Sequence, residues 1–122
     1  MKGMLPSGID DRALVLEIGS LSLTGTDITL LGLITGELVT NALKYGQGRV
    51  GVEVQQRIGG LHISVSDEGP GFPPGYDPAA SRGLGMRLVT SLAKVPKSQA
   101  IRVDRSVPFG RIVVTTAFGG SE

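Results

Sequence analysis

The 122-residue chain contains no cysteine, no tryptophan and a single histidine, and aromatic residues make up only 4 % of it. The absence of cysteine excludes disulfides, cysteine-ligated metals and thiol catalysis, and it fits the reducing cytoplasm, where we expect the protein. A single histidine excludes a multi-histidine metal centre within the chain. No stretch approaches the roughly 20 apolar residues of a membrane span, so we expect no membrane contact. The net charge of +1 gives no compositional argument for nucleic-acid binding.

Glycine, by contrast, is abundant: the chain has 19 glycines together with seven prolines. Hydrophobic residues make up 40 %, which is enough for a core, and the length suits one domain. We interpret residues 1–12 as a polar, turn-rich N-terminal segment and residues 13–118 as the domain.

Alternating apolar residues predict the strands. In the first, Leu14, Leu16 and Ile18 are expected to share a half-buried face. A glycine pair between two alternating runs predicts an antiparallel hairpin. The predicted strands are 13–19, a short partner at 21–24, the hairpin 49–56 and 61–67, and two final strands at 100–104 and 111–118.

Apolar spacings of three and four predict two helices. The first is expected to begin at a cap on Thr26 or Asp27 and to stop at Gly46, and the second to span 84–94. Gly32 and Gly36 inside the first helix are unfavourable there and indicate close packing or the close approach of something to the helix. The element order predicts a two-layer sandwich, with a mixed, mainly antiparallel sheet and the helices on one face.

Polar residues border the apolar side of the first helix. Glu37, Asn41 and Lys44 follow at spacings of four and three, which puts a carboxylate, an amide and an ammonium group in one row. The simpler alternative is a solvated helix face. His62, on the polar side of its strand, is interpreted as a solvated residue.

A carboxylate is predicted to point into the apolar layer. The period of two that turns Leu61, Ile63 and Val65 inward also turns Asp67 inward, where an unpaired charge is costly. Asp67 could simply cap its own turn. Gly69 and Gly71 directly after it favour either a backbone with positive φ or a close approach of backbone to a ligand.

The run RGLGM at 82–86 places Gly83 and Gly85 at the start of the second helix. Backbone N–H groups at a helix N-terminus suit a phosphate, although a lone Gly-x-Gly is a weak signal and ordinary loop glycines are the alternative. Arg82, Arg87 and Lys44 are candidate cations for such an anion.

Together, ELVTNALKYG (37–46), SDEGPGF (66–72), a Gly/Pro-rich lid (72–82) and RGLGMRLV (82–89) resemble the ATP-binding domain of sensor histidine kinases. That domain has the Bergerat-type ATP-binding fold shared with gyrase, mismatch-repair proteins and the large heat-shock chaperone. The resemblance covers about residues 13–118. It implies a protein histidine kinase, here its catalytic domain only, with ATP and Mg²⁺ as cofactors.

The resemblance also implies roles for matching residues. Glu37 would be catalytic, polarising the attacking group or helping to organise the metal's water. Asn41 would bind Mg²⁺ held by the phosphates, and Asp67 would accept a hydrogen bond from the adenine amino group. The remaining ATP-binding residues would be Lys44, Tyr45, Gly69, Gly71, Arg82, Gly83, Leu84, Gly85 and Met86.

Three departures from the family pattern stand out. Gly110-Arg111 replaces a Gly-Thr or Gly-Ser pair near the adenine, and the short lid lacks a phenylalanine-containing box, although Phe72 lies at its base. No helical hairpin with a phosphoacceptor histidine precedes the domain. We therefore expect either an excised catalytic domain or a protein that acts in trans.

The function implied is transfer of the γ-phosphoryl of Mg-ATP to a histidine on a partner hairpin, with a response regulator as the indirect partner in two-component signalling. Because such kinases usually dimerise through the hairpin, we expect this chain alone to be a monomer. One alternative is a stand-alone anti-sigma serine kinase. Another is an adaptor or phosphotransferase domain that keeps the fold without nucleotide turnover.

Overall fold

The structure, a computed structural model, describes residues 14–78, 83–93 and 96–121. The predicted N-terminal segment 1–12 and Arg82 lie outside these residues. The elements are β1 (Leu14–Ile18), α1 (Gly25–Tyr45), β2 (Val50–Arg57), β3 (Gly60–Ser66), α2 (Leu84–Leu92), α3 (Lys97–Ala100), β4 (Ile101–Val103) and β5 (Arg111–Thr115).

Five strands form one sheet in the order β1-β2-β3-β5-β4. β1 runs parallel to β2, and the other three pairings are antiparallel, so the predicted mixed, mainly antiparallel sheet is confirmed. The hairpin of β2 and β3 is also as predicted. The predicted strand at 21–24 is wrong, because those residues are irregular and lead into α1.

The core lies between the sheet and the helices, as the two-layer prediction required. Register places Val54, Ile63 and Val114 in one cross-strand row beside Ile101, and all four are buried. α1 and α2 complete the core with buried residues, which are Ile34, Leu38, Met86 and Val89.

The predicted inward face of β1 is wrong. Leu14, Leu16 and Ile18 are 51 %, 58 % and 50 % exposed. Alternation does place them in register with the buried valines of β2, but β1 is the edge strand, and among the described residues nothing buries it.

Two details of α1 also differ from the prediction. The helix begins earlier, with Thr24 as the N-cap, whose side chain accepts the N–H of Asp27 at 3.1 Å. Gly32 and Gly36 have nothing within 4 Å of where a β-carbon would stand, so the expected close packing is absent among the described residues. No helix in the described part of the chain is long and apolar enough to cross a membrane.

Candidate functional site

A cavity of about 540 Å³ lies between α1, the segment after β3, α2 and β5. This volume is in the range of small-molecule sites. Of the residues predicted to bind ATP or the metal or to act in catalysis, six line it: Asn41, Tyr45, Asp67, Gly69, Gly71 and Met86.

Asp67 is held at the cavity by backbone N–H groups. Asp67 directly follows β3 and is 8 % exposed. Its Oδ1 accepts the N–H of Gly69 at 2.7 Å and that of Gln47 at 3.3 Å. Oδ1 therefore does cap the local turn, as the simpler alternative required. No described residue donates to Oδ2, which is left as an acceptor beside the cavity.

Two further glycines make room for this carboxyl group. A β-carbon on Gly110 would stand 2.6 Å from Asp67 Oδ2, and one on Gly46 would meet the same oxygen at 2.5 Å. Real β-carbons do not approach an oxygen so closely. The N–H of Asp67 donates to the carbonyl of Gly110 at 2.9 Å, so backbone from three segments encloses one side chain.

Glu37 occupies the N-terminus of α2. Its Oε1 accepts the N–H of Gly85 at 2.9 Å and of Met86 at 3.3 Å. A carboxylate is stabilised there by the unpaired N–H groups and the helix dipole. A β-carbon on Gly83 would collide with the Glu37 carboxyl group, and one on Gly85 would stand 2.7 Å from the carbonyl oxygen of Leu33. The Gly-x-Gly spacing is thus a packing requirement between α1 and α2.

Tyr45 lines the cavity but is 76 % exposed. The other predicted residues that the structure describes do not line it, and Lys44 among them is exposed. Leu84 is 58 % exposed and, with Glu37, Lys44, Gly83 and Gly85, is not among the lining residues.

The described part of the lid, residues 72–78, carries an aromatic pair at the cavity. The rings of Phe72 and Tyr76 stack with centroids 4.6 Å apart. Burial raises the pKa of the Tyr76 hydroxyl above its ordinary value, and the neighbouring Tyr45 and Asp77 add to this. Both rings line the cavity.

Arg111, the departure noted in the sequence, does not enter the cavity. Gly110 and Ile112 line it, whereas Arg111 pairs with Asp104 at 3.6 Å and lies over the Phe109 ring. The alternation along β5 turns its side chain to the open face of the sheet, the face opposite the helices.

His62 lies on the same open face and is half-buried. Burial lowers the pKa of its imidazole, and the nearby charge of Arg57 lowers it further. It lies on the opposite side of the sheet from the cavity.

Sequence reasoning missed three contributors: the backbone of Gln47, the ring of Tyr76 and the side chain of Arg105. Arg105 donates to the carbonyls of Phe72 and Pro73 at the base of the lid. Only Tyr76 could have been found from the sequence, by its position within the lid. The backbone contact of Gln47 and the pairing of Arg105 across 33 residues leave no periodic pattern.

A metal at Asn41 would take most of its ligands from a bound molecule or from water. Within the described residues no group of three or more histidine, aspartate or glutamate side chains could hold a metal ion. An amide oxygen at the cavity is a suitable single ligand for a hard cation such as Mg²⁺.

Comparison with known proteins identifies the family of the chain. Residues 26–118 match the family of histidine kinase-, DNA gyrase B- and HSP90-like ATPases. The signal transduction histidine-protein kinase/phosphatase MprB of Mycolicibacterium smegmatis is 36 % identical over 98 aligned positions, covering 66 % of this chain and 20 % of that protein. The chain thus spans about a fifth of that relative.

Solved structures show the same fold. The histidine kinase domain of the Erythrobacter litoralis EL346 blue-light activated histidine kinase has a TM-score of 0.62 at 21 % identity, covering 90 % of this chain and 52 % of that one. A mycobacterial sensor histidine kinase MprB structure has a TM-score of 0.55 at 25 % identity, covering 85 % of this chain and 81 % of that one. The chain therefore belongs to the histidine kinase-, DNA gyrase B- and HSP90-like ATPase family, as an ATP-binding domain of the histidine kinase type.

Proposed function

We propose that this domain binds Mg-ATP and donates its γ-phosphoryl group to a histidine on a partner helical hairpin. In the transfer, an imidazole nitrogen forms a bond to the γ-phosphorus, the bond to the β–γ bridging oxygen breaks, and ADP leaves with the electron pair. The observation that carries the proposal is Asp67, a buried carboxylate with one oxygen left to the cavity. Oδ2 would accept a hydrogen bond from the adenine amino group.

The phosphates would lie toward α1 and α2. Asn41 would supply an amide oxygen to Mg²⁺, which would neutralise charge on the phosphates, and Lys44 would add a cation. The segment of Gly83, Leu84, Gly85 and Met86 would close over the phosphates, and Arg82 would add a further cation. Catalysis in this class rests mainly on positioning and electrostatic stabilisation.

Glu37 would polarise the attacking imidazole by accepting its proton. In the structure this carboxylate accepts the N–H groups of Gly85 and Met86. Because a phosphate at the same N–H groups would repel it, phosphate binding there would release the carboxylate toward the reacting groups.

Calorimetry with ATP and ADP, with and without Mg²⁺, tests the binding step. We expect saturable binding that Mg²⁺ strengthens for ATP. In Asn41→Ala the metal-dependent part should weaken more than metal-free binding, whereas an equal loss in both conditions would remove Asn41 from the metal.

The acceptor residue is identified by incubating the domain with γ-labelled ATP and the partner hairpin. A response regulator would subsequently accept the phosphoryl group from the hairpin. Label that is lost in acid and stable in base identifies phosphohistidine. Acid-stable label on a serine of an added protein would instead support the anti-sigma serine kinase, and ATP binding with no transfer to either would support the adaptor.

A further inference from the structure

One side chain ties the base of the lid to the turn between β4 and β5. Arg105 donates from Nη1 to the carbonyl of Phe72 at 2.5 Å and from Nη2 to the carbonyl of Pro73 at 2.9 Å. The rigid fork of a guanidinium group suits two successive acceptors in a way that a single ammonium does not. The two bonds span 32 and 33 residues of chain, so they fix the lid base to a distant part of the sheet.

The turn that carries Arg105 is itself braced. Asp104 Oδ1 accepts both the N–H of Ser106 at 2.9 Å and its hydroxyl at 2.6 Å. These hydrogen bonds hold the pKa of the Asp104 carboxyl below its ordinary value. Asp104 also pairs with Arg111 at 3.6 Å, and its N–H donates to the Arg111 carbonyl at 3.0 Å. Arg105 therefore projects from a turn whose local conformation is held on both sides.

The carbonyls that Arg105 holds belong to the wall of the cavity. Phe72 and Pro73 both line it, and the ring of Phe72 stacks on Tyr76. The same β4–β5 turn ends at Gly110, which accepts the N–H of Asp67. A single turn thus contacts both the residue proposed to recognise the base and the start of the segment proposed to cover it.

We propose that Arg105 is a positioning residue for nucleotide binding, which fixes the Phe72–Tyr76 pair beside the cavity before the ligand arrives. The role rests on the proposed function, since it acts through the lid on a bound nucleotide. Ordering a wall segment in advance lowers the conformational entropy lost on binding. Without the guanidinium fork, that ordering cost would fall on the binding step.

Arg105→Ala, Arg105→Lys and Arg102→Ala test the role. Arg102 is the matched control, because it is an exposed arginine on β4 whose side chain lies on the open face. The measurements are the Kd for Mg-ATP by calorimetry and amide hydrogen exchange over residues 71–77 without nucleotide. Melting temperatures check that each variant is folded.

For Arg105→Ala we expect about three- to tenfold weaker ATP binding, the effect of losing charged hydrogen bonds that are partly screened by solvent. Exchange at the lid base should be faster, while exchange in β2 and β3 is unchanged. Arg105→Lys should recover part of both losses, and Arg102→Ala should match the wild type.

If the wild type binds Mg-ATP, and Arg105→Ala has the same Kd and the same hydrogen exchange in the lid, the role of Arg105 is overturned. The proposed function would still stand. A similar loss in Arg102→Ala would also overturn it, because net charge would then explain the effect. A folded wild-type chain that binds no ATP would contradict the proposed function itself, and this role with it.

Discussion

Two carboxylates accept hydrogen bonds from glycine-rich backbone in this domain, and they do so in different ways. Asp67 is buried, its Oδ1 accepts the N–H groups of Gly69 and Gln47, and no described residue donates to its Oδ2. Glu37 turns Oε1 onto the first N–H groups of α2. Asp67 therefore keeps an acceptor for the nucleotide that we propose, whereas Glu37 in this structure has its Oε1 on the N-terminus of α2.

The largest effect is expected from Asp67→Asn. The amide oxygen can keep the bonds from Gly69 and Gln47 while the NH₂ group replaces Oδ2, so the cavity loses an acceptor and gains a donor. Nucleotide binding should weaken by about a hundredfold or more, by analogy with sites that leave a buried polar partner unmatched. Calorimetry with Mg-ATP measures this, and circular dichroism with thermal melting serves as the control. If the variant is largely unfolded but its folded fraction binds nucleotide normally, Asp67 acts only as a structural cap of its turn.

Next in size is Gly85→Ala. A β-carbon there meets the backbone of α1, 2.7 Å from the Leu33 carbonyl oxygen and 3.1 Å from the Ile34 Cα, and backbone cannot rotate away. Overpacking of this kind costs roughly 1–3 kcal/mol of unfolding free energy. Denaturant titration measures the loss. Wild-type stability in this variant would show that α1 and α2 are not packed as described.

Glu37 can be separated into its two roles with a pair of variants. Glu37→Ala removes the acceptor at the N-terminus of α2 and should cost about 1 kcal/mol of unfolding free energy. Glu37→Gln keeps a neutral acceptor and should lose only part of that stability. Both should abolish most phosphoryl transfer to the hairpin if the carboxylate accepts the proton. Full transfer by a folded Glu37→Gln variant would limit Glu37 to shaping α2.

The smallest effect, of opposite sign, is expected from Gly36→Ala. Nothing lies within 4 Å of the added carbon, and alanine is the better residue in a helix interior. The unfolding free energy should rise by up to about 1 kcal/mol. This variant is the control for Gly85→Ala, since both glycines lie in helices and differ in what surrounds them. A destabilised Gly36→Ala would point to packing on that face of α1.

The elements that sequence reasoning predicted well are those set by local patterns. The period of two in β3 correctly turned Asp67 inward with Leu61, Ile63 and Val65. The glycines of the second predicted helix lie at its start, as expected. The motif order led to the family that the comparisons support.

The predictions failed mainly where the structure of a segment depends on residues far away in the sequence. Leu16 alternates correctly yet is exposed, because burial of an edge strand depends on what covers it. Thr24, Thr26 and Asp27 are all good caps, and the first is used. The bonds of Arg105 join segments far apart in sequence, so no local pattern could have predicted them.

The central claim, that Asp67 Oδ2 reads an amino group on the base, is tested most directly by comparing ATP with inosine triphosphate. The two differ at position 6 of the base, where a carbonyl oxygen replaces the amino donor. Calorimetric titration of the wild-type domain with each, in Mg²⁺, should give saturable ATP binding and at least about thirtyfold weaker binding of inosine triphosphate, because two acceptors would face each other. Equal affinities, or no ATP binding at millimolar concentration by a folded sample, would contradict the account.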